Sequence, residues 1–310
     1  MTRESVRQYA VDFLRPVMPS ERLAAVRILT ALFALIYLAV RGPGILAAVH
    51  QAPHLFQPVG PVKLLDTPAA PLVTYLFYAL SWVFGVAFLV GYRFRLTAPA
   101  FAFSLLWVLA YRNSWGMVFH TENLMMLHIT LLSLSDAGAA LSLDAKRAGG
   151  AAEADRRFGF GIRVLSIGTV TAYVLAGVAK IKVTGLEWAS GDILRNHIAN
   201  DNLRKMLLGD SYSEIGMWLA QTPQIFPFLA MFSLAVELGA PIGLFSARLG
   251  QLWCLVTWGF HVGVLIVMWV FFPYNLFWFS FASFFHAEKL VMPVLARLAF
   301  APRASSTVVC

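Results

Sequence analysis

The sequence predicts an all-α fold, a polytopic membrane helical bundle with about eight transmembrane helices, and three observations predict it. Hydrophobic residues make up 59% of the 310-residue chain and charged residues only 13%, and the mean hydropathy is +0.70. That is more apolar surface than a soluble core of this size can hide. The apolar residues come in continuous runs rather than in alternation with polar ones, which selects helices over a barrel, since only these two structures satisfy every backbone N–H and C=O in hydrocarbon. The basic residues behind the net charge of +8 lie between the runs and not on one face, so the partner they imply is the lipid bilayer and not nucleic acid.

The elements follow in order. Residues 1–21 form a polar N-terminal segment with Arg3, Glu4, Arg7, Asp12 and Arg15 ahead of Pro16, without the early apolar core of a cleavable signal peptide. Insertion is therefore expected to use the first span. A transmembrane domain over residues 22–290 holds spans at 22–40, 71–92, 96–111, 118–135, 161–182, 224–245, 252–271 and 274–285, and residues 291–310 form a tail. The fourth and eighth spans are short, and the eighth is dense in aromatic residues from Phe277 to Phe285. Five prolines, Pro43, Pro53, Pro58, Pro61 and Pro68, break residues 42–70 into a loop at the membrane surface. A second long loop, 184–223, contains an amphipathic stretch at 188–208 suited to the interface. Residues 136–157, rich in Ala and Gly, read as a linker.

Arg3, Arg7, Arg15, Arg93, Arg95, Lys146, Arg147, Arg156 and Arg157 all fall on one side of this threading. The excess places both termini in the cytoplasm of a multi-pass cell-membrane protein and the two long loops outside it. No internal repeat supports an inverted-repeat transporter. Cys254 and Cys310 have neither the number nor the spacing of a disulfide framework or zinc site, and no metal is expected.

Titratable residues at membrane depth are costly, so they mark where chemistry is to be sought. They are Arg27 in span one, His120 with Asn123 at the head of span four, Lys180 late in span five, Glu237 in span six and His261 in span seven, with His128 a weaker candidate. The threading puts His120, Asn123 and Lys180 near the outer leaflet and Glu237 and His261 nearer the midplane, where they can line one outward cavity. Tyr173, Gly177 and Lys180 share a helix face, and the small Gly177 admits a neighbouring helix. Each has a plainer reading. Lys180 can snorkel to the interface, Arg27 can reach inner phosphates, Glu237 and His261 can form a buried structural pair, and Trp188 can belong to an interfacial aromatic belt. If Lys180 is desolvated, its neutral amine becomes available as a base, an effect that a neighbouring carboxylate opposes.

Several segments taken together resemble the horizontally transferred transmembrane domain (HTTM) family. They are Ala24 to Leu29 around Arg27, His54 to Pro58, Asn113-Ser114-Trp115 leading to His120 and Asn123, Tyr173 to Lys180, Trp188, Gly191, and His261 ahead of Phe271 to Tyr274. The best-known member is the vitamin K-dependent gamma-carboxylase, and the resemblance runs from about residue 22 to 285. It implies a membrane enzyme in which a lysine after an Ala-Gly step, here Lys180, deprotonates a reduced quinone of the vitamin K or menaquinol type, which oxygen then converts to an epoxide. Lys180, His120, Asn123 and His261 become the catalytic candidates, and Arg27, Tyr173, Gly177, Trp188 and Glu237 the cofactor-binding ones. The chain lacks the carboxylase's large lumenal region, so a quinol-linked activity is expected rather than glutamate carboxylation. The alternative is a non-catalytic membrane partner in maturation or export of a secreted peptide, with a peptide or partner protein held by the loop 184–223.

Overall fold

The computed structural model describes residue 8 and residues 11–116 and 121–299. Among the described residues the nine longest α-helices carry the architecture: α1 Ser20–Ala47, α2 Pro71–Val90, α3 Phe94–Arg112, α4 Asn123–Ser133, α5 Arg156–Thr184, α6 Asp192–Leu207, α7 Phe226–Leu238, α8 Ala247–Met268 and α9 Ala287–Ala299. Short helical turns link them, and no β-strand occurs among the described residues. Local sequence sets several of these limits. Pro71 opens α2, where its missing N–H costs nothing, and Gly91 closes it in the left-handed region at φ 62°. Asp155 and Ser246 cap α5 and α8 by accepting from the N–H groups of Arg157 and Leu249 at 2.7 and 3.2 Å.

Two apolar clusters meet on α5. The larger joins α1 to α5 through side chains such as Leu38, Phe88, Phe101, Leu105, Met125 and Phe158. The smaller packs Val170 and Tyr173 of α5 against Trp253, Cys254 and Phe281. One helix thus belongs to both halves of the bundle, and its second half carries Lys180.

Among the described residues, five helices are long and apolar enough to cross a membrane, namely α1, α2, α3, α5 and α8. Five of the about eight expected spans are thus helices of spanning length, and the other three take different forms. α4 has 11 residues and α7 has 13, about 16 and 20 Å at 1.5 Å per residue against the ~30 Å hydrocarbon core. α7 is prolonged by 3₁₀ turns at Pro223–Ile225 and Ala240–Leu244. The expected eighth span, 274–285, is not one helix. It is a helical turn at Pro273–Leu276, a left-handed Trp278 at φ 67°, and a 3₁₀ turn at Phe279–Phe284. Irregular backbone survives at membrane depth when protein surrounds it, and here Tyr274, Asn275, Ser280, Phe281 and Ser283 are all buried. Its side chains anchor it individually: Tyr274 Oη bonds His128 Nδ1 at 2.8 Å, Ser283 Oγ accepts from Ser166 at 3.0 Å, and the Ser280 carbonyl accepts from Thr169 at 3.3 Å. α1 also runs through Pro43 to Ala47, further than the span expected at 22–40.

One end of the bundle is tied by Arg27. Its side chain is fully buried, and the guanidinium donates to four backbone carbonyls, Ala137 at 2.6 Å, Ala140 at 3.3 Å, Leu89 at 3.5 Å and Leu141. A Cβ on Gly91 would stand 2.9 Å from Arg27 Nη1 and 2.4 Å from Ser142 Cβ, so glycine is needed there for space as well as for its φ. The segment expected to be a linker is therefore ordered by a buried charge, with Ala137 and Ala140 fully buried. At this same end Met18 and Asp155 pair backbones at 3.1 and 3.3 Å, and Arg22 of α1 forms an ion pair with Glu288 of α9 at 3.0 Å.

Arg27→Met is expected to leave those carbonyls without donors, at about 1–3 kcal/mol for each buried group lost. Folded yield and thermal midpoint in detergent should both fall markedly. α9 should respond to acid. Burial pushes the Glu288 carboxyl up, but hydrogen bonds from Arg22, its own backbone and His286, with the Arg22 charge, outweigh that and hold it below the ordinary glutamate value of 4.5. Its folded value is thus the depressed one, so its contribution is complete above 4.5 and is lost as pH falls through the folded value. Limited proteolysis after α8 should increase over that acid window, and Glu288→Gln should show the increase already at neutral pH.

Candidate functional site

Toward the opposite end of α5 the chain builds a second polar cluster. Tyr173, Gly177 and Lys180 lie on one face, as their spacing requires. A Cβ on Gly177 would come within 2.8 Å of Leu238 Cδ2 and 3.1 Å of Glu237 Cβ, so this glycine is what lets α7 seat against α5. The close approach puts the Lys180 ammonium on Glu237 Oε1 as a hydrogen-bonded ion pair. Its two members differ in environment: the Glu237 side chain is 4% exposed and that of Lys180 22%. The acid is enclosed while the amine reaches a cavity. Glu237 Oε2 is buried with no hydrogen-bond partner among the described residues.

The cavity, about 320 Å³, is walled by Lys180 and Trp188, by Leu194, His197 and Ile198 of α6, and by faces of α7 and α8. Lys180 Nζ lies 5.2 Å from the centre of the Trp188 ring, a cation–π distance. Trp188 is fixed by its indole N–H, which donates to Ser233 Oγ on α7 at 3.1 Å. Apart from Lys180, Ser233 and His197 the lining is almost entirely apolar, the usual make-up of a small-molecule site.

α6 roofs the cavity, and hydrogen bonding holds it there. The last carbonyls of α8 have no partners within their own helix. Three side chains supply them: Ser213 Oγ donates to Ile266 O at 2.5 Å, Asn202 Nδ2 to Val267 O at 2.9 Å, and Lys205 Nζ to Met268 O at 2.6 Å. Asn202 also accepts from the Ser213 N–H at 2.7 Å. The expected amphipathic stretch is therefore a clamped roof and not a free surface helix.

Two turns before Lys180 on α5, the Tyr173 hydroxyl meets His261 Nε2 at 2.7 Å and accepts from Asn275 Nδ2 at 2.7 Å. Accepting from Asn275 leaves the phenol hydrogen for His261. This trio joins α5, α8 and the interrupted segment behind the cavity wall, so Tyr173 and His261 support the site without lining it. His128 lies in a separate buried network with Tyr274 and Thr169, the latter at 2.9 Å from Nε2.

The structure thus gathers Lys180, Glu237, Gly177, Trp188, Tyr173 and His261. It does not gather Arg27, which sits among carbonyls at the other end of the bundle. Asn123 is exposed on the first turn of α4 and does not line the cavity. The buried polar residue there is its neighbour Glu122, which accepts from Arg112 at 3.1 Å and Asn113 at 3.3 Å. His120 lies outside the described residues. Sequence reasoning missed Ser233, Asn275 and His197. Only His197 had a visible signal, because Leu194, His197 and Ile198 fall at helical spacing on one face of α6.

Compared with known proteins, residues 14–288 match a family model described as the HTTM domain. No curated protein and no solved structure matches the chain.

Asn202→Ala is expected to cost about 1–3 kcal/mol through the Val267 carbonyl and Ser213 N–H it leaves unpaired. Hydrogen exchange should quicken across α6 and residues 208–213 while amides around Arg27 keep their protection.

Proposed function

The chain belongs to the HTTM domain family, the domain found in the membrane region of vitamin K-dependent gamma-carboxylase, and we propose that it is a membrane enzyme whose cavity takes a reduced quinone or a similar lipid-like hydroxyl compound, with Lys180 as base. The carrying observation is the Lys180–Glu237 pair at the wall of an otherwise apolar cavity under the Trp188 ring. The cavity volume of about 320 Å³ fits a flat ring system, and Trp188, Phe232 and Phe260 offer aromatic surface for it. When bound, a quinol supplies an acidic phenolic hydroxyl and a ring that oxygen can oxidise.

The chain's own residues handle the proton. Lys180 is hydrogen-bonded to a carboxylate, so its amine becomes basic when the shared proton passes to Glu237. That transfer leaves the pair neutral throughout and exposes no isolated charge to hydrocarbon. The free amine then removes a hydroxyl proton from a ligand seated against it, and the ammonium so formed stabilises the oxyanion. Ser233 orients Trp188, and the Tyr173–His261–Asn275 trio holds the α5 face that presents Lys180. The distribution of Arg and Lys along the sequence favours an extracytoplasmic position for the α6 end.

Lys180→Gln tests this while keeping a donor for Glu237. Consumption of a menaquinol analogue by the purified protein should fall about 100-fold or more, with folded yield unchanged. Unaltered consumption would refute the assignment. If wild-type protein consumes no quinol and retains only bulk phospholipid by mass spectrometry, while substitutions within 184–223 release a bound peptide, the non-catalytic partner role replaces it.

A further inference from the structure

We propose that Gly259 and Gly263 of α8 form one wall of a slot that holds the hydrocarbon chain of the ligand and leads it into the bilayer between α7 and α8. The inference rests on the reading of Lys180 as the residue that meets the ligand's hydroxyl head.

Glycine inside a helix costs about 1 kcal/mol relative to alanine, so two of them one turn apart call for a physical reason. The common reason in membranes is close packing of another helix, which is what Gly177 does. It does not hold here. A Cβ at either Gly259 or Gly263 would meet nothing within 4 Å, yet both glycines line the cavity. They make room instead of contact. Across from them α7 presents Leu229, Phe232 and Ser233, again on one face. Gly259 is exposed and Gly263 half-buried, and Phe232 is 44% exposed, so this side of the cavity opens laterally on the membrane-facing surface of the bundle. Lys180 gives the lining one cationic group for a polar head, whereas Gly259, Phe260, Gly263 and Val264 of α8 and Leu229 and Phe232 of α7 give a continuous apolar surface. A molecule with one polar ring and one hydrocarbon chain matches that division, its ring at Lys180 and its chain along the glycines.

The test compares two probes, a naphthohydroquinone without a side chain and the same reduced ring bearing a long isoprenoid chain, by anaerobic equilibrium binding to the purified full chain in mild detergent. Gly263→Leu and Gly259→Leu place a side chain in the slot without meeting a protein atom at Cβ. Each should weaken the chain-bearing probe on the order of tenfold, through lost apolar burial, and leave the chainless probe unchanged. Gly44→Leu, on α1 and also open at Cβ, serves as the control and should alter neither. If Gly263→Leu lowers folded yield, Gly263→Ala should show the same selectivity at smaller size. Equal weakening of both probes would put the glycines against the ring and overturn the slot, and so would the absence of any change. Failure of the wild type to bind even the chainless probe would instead sink the reading of the Lys180 site, and the slot with it.

Discussion

Hydrocarbon offers no hydrogen-bond partner, so each polar group that this chain carries to membrane depth has to be answered by another part of the protein. That constraint organises the bundle at both ends and in the middle. Arg27 gathers the loop after α4 and the end of α2 onto α1 through their carbonyls. Ser213, Asn202 and Lys205 answer the last carbonyls of α8 and thereby fasten a roof over the cavity. Between them, the interrupted segment 273–286 keeps its irregular backbone because α1, α4, α5 and α8 surround it, with Tyr274 bonded to α4 and Asn275 and Ser283 bonded to α5. Among the described residues some buried polar atoms nonetheless have no hydrogen-bond partner, Arg27 Nε, His261 Nδ1 and Glu237 Oε2 among them.

The Lys180–Glu237 pair is the most consequential of these. An ion pair drawn out of water gains little net stability over well-packed apolar residues, because desolvation of both charges offsets their attraction. Its location adds a second consideration. Glu237 is enclosed and one of its oxygens has no hydrogen-bond partner among the described residues, while the lysine faces a cavity lined mostly by apolar groups. A pair built for stability alone would bury both members and satisfy both oxygens. A pair that exchanges a proton with a bound hydroxyl compound needs this asymmetry, with one member in reach of the ligand and the other behind it.

The glycines of the two halves divide the same labour. Gly177 brings α7 to within contact of α5 and creates the pair, whereas Gly259 and Gly263 keep the neighbouring wall away. Identical residue types in apolar helices have opposite structural effects here. Spacing alone does not separate them, since both sets fall on a helical face beside bulky side chains. The difference lies in what stands opposite.

Much of the architecture is legible in the sequence by itself. The longest apolar runs identify the five helices of spanning length among the described residues, helical spacing places Lys180 on a face with Tyr173 and Gly177, and the stretch after Trp188 becomes α6, because hydropathy and helical period act within one segment and need no partner. Tertiary structure alone decided the rest. Hydropathy treats residues 274–285 as a span, and only the surrounding helices turn it into a buried, interrupted strap. Arg27, Asn123 and Glu237 look alike as polar residues in apolar surroundings. Their fates diverge according to whether carbonyls, open surface or a lysine lies across the gap. A segment's own residues dictate its local conformation and its preference for lipid, but the partner that answers a buried charge comes from elsewhere in the chain, and only packing brings the two together.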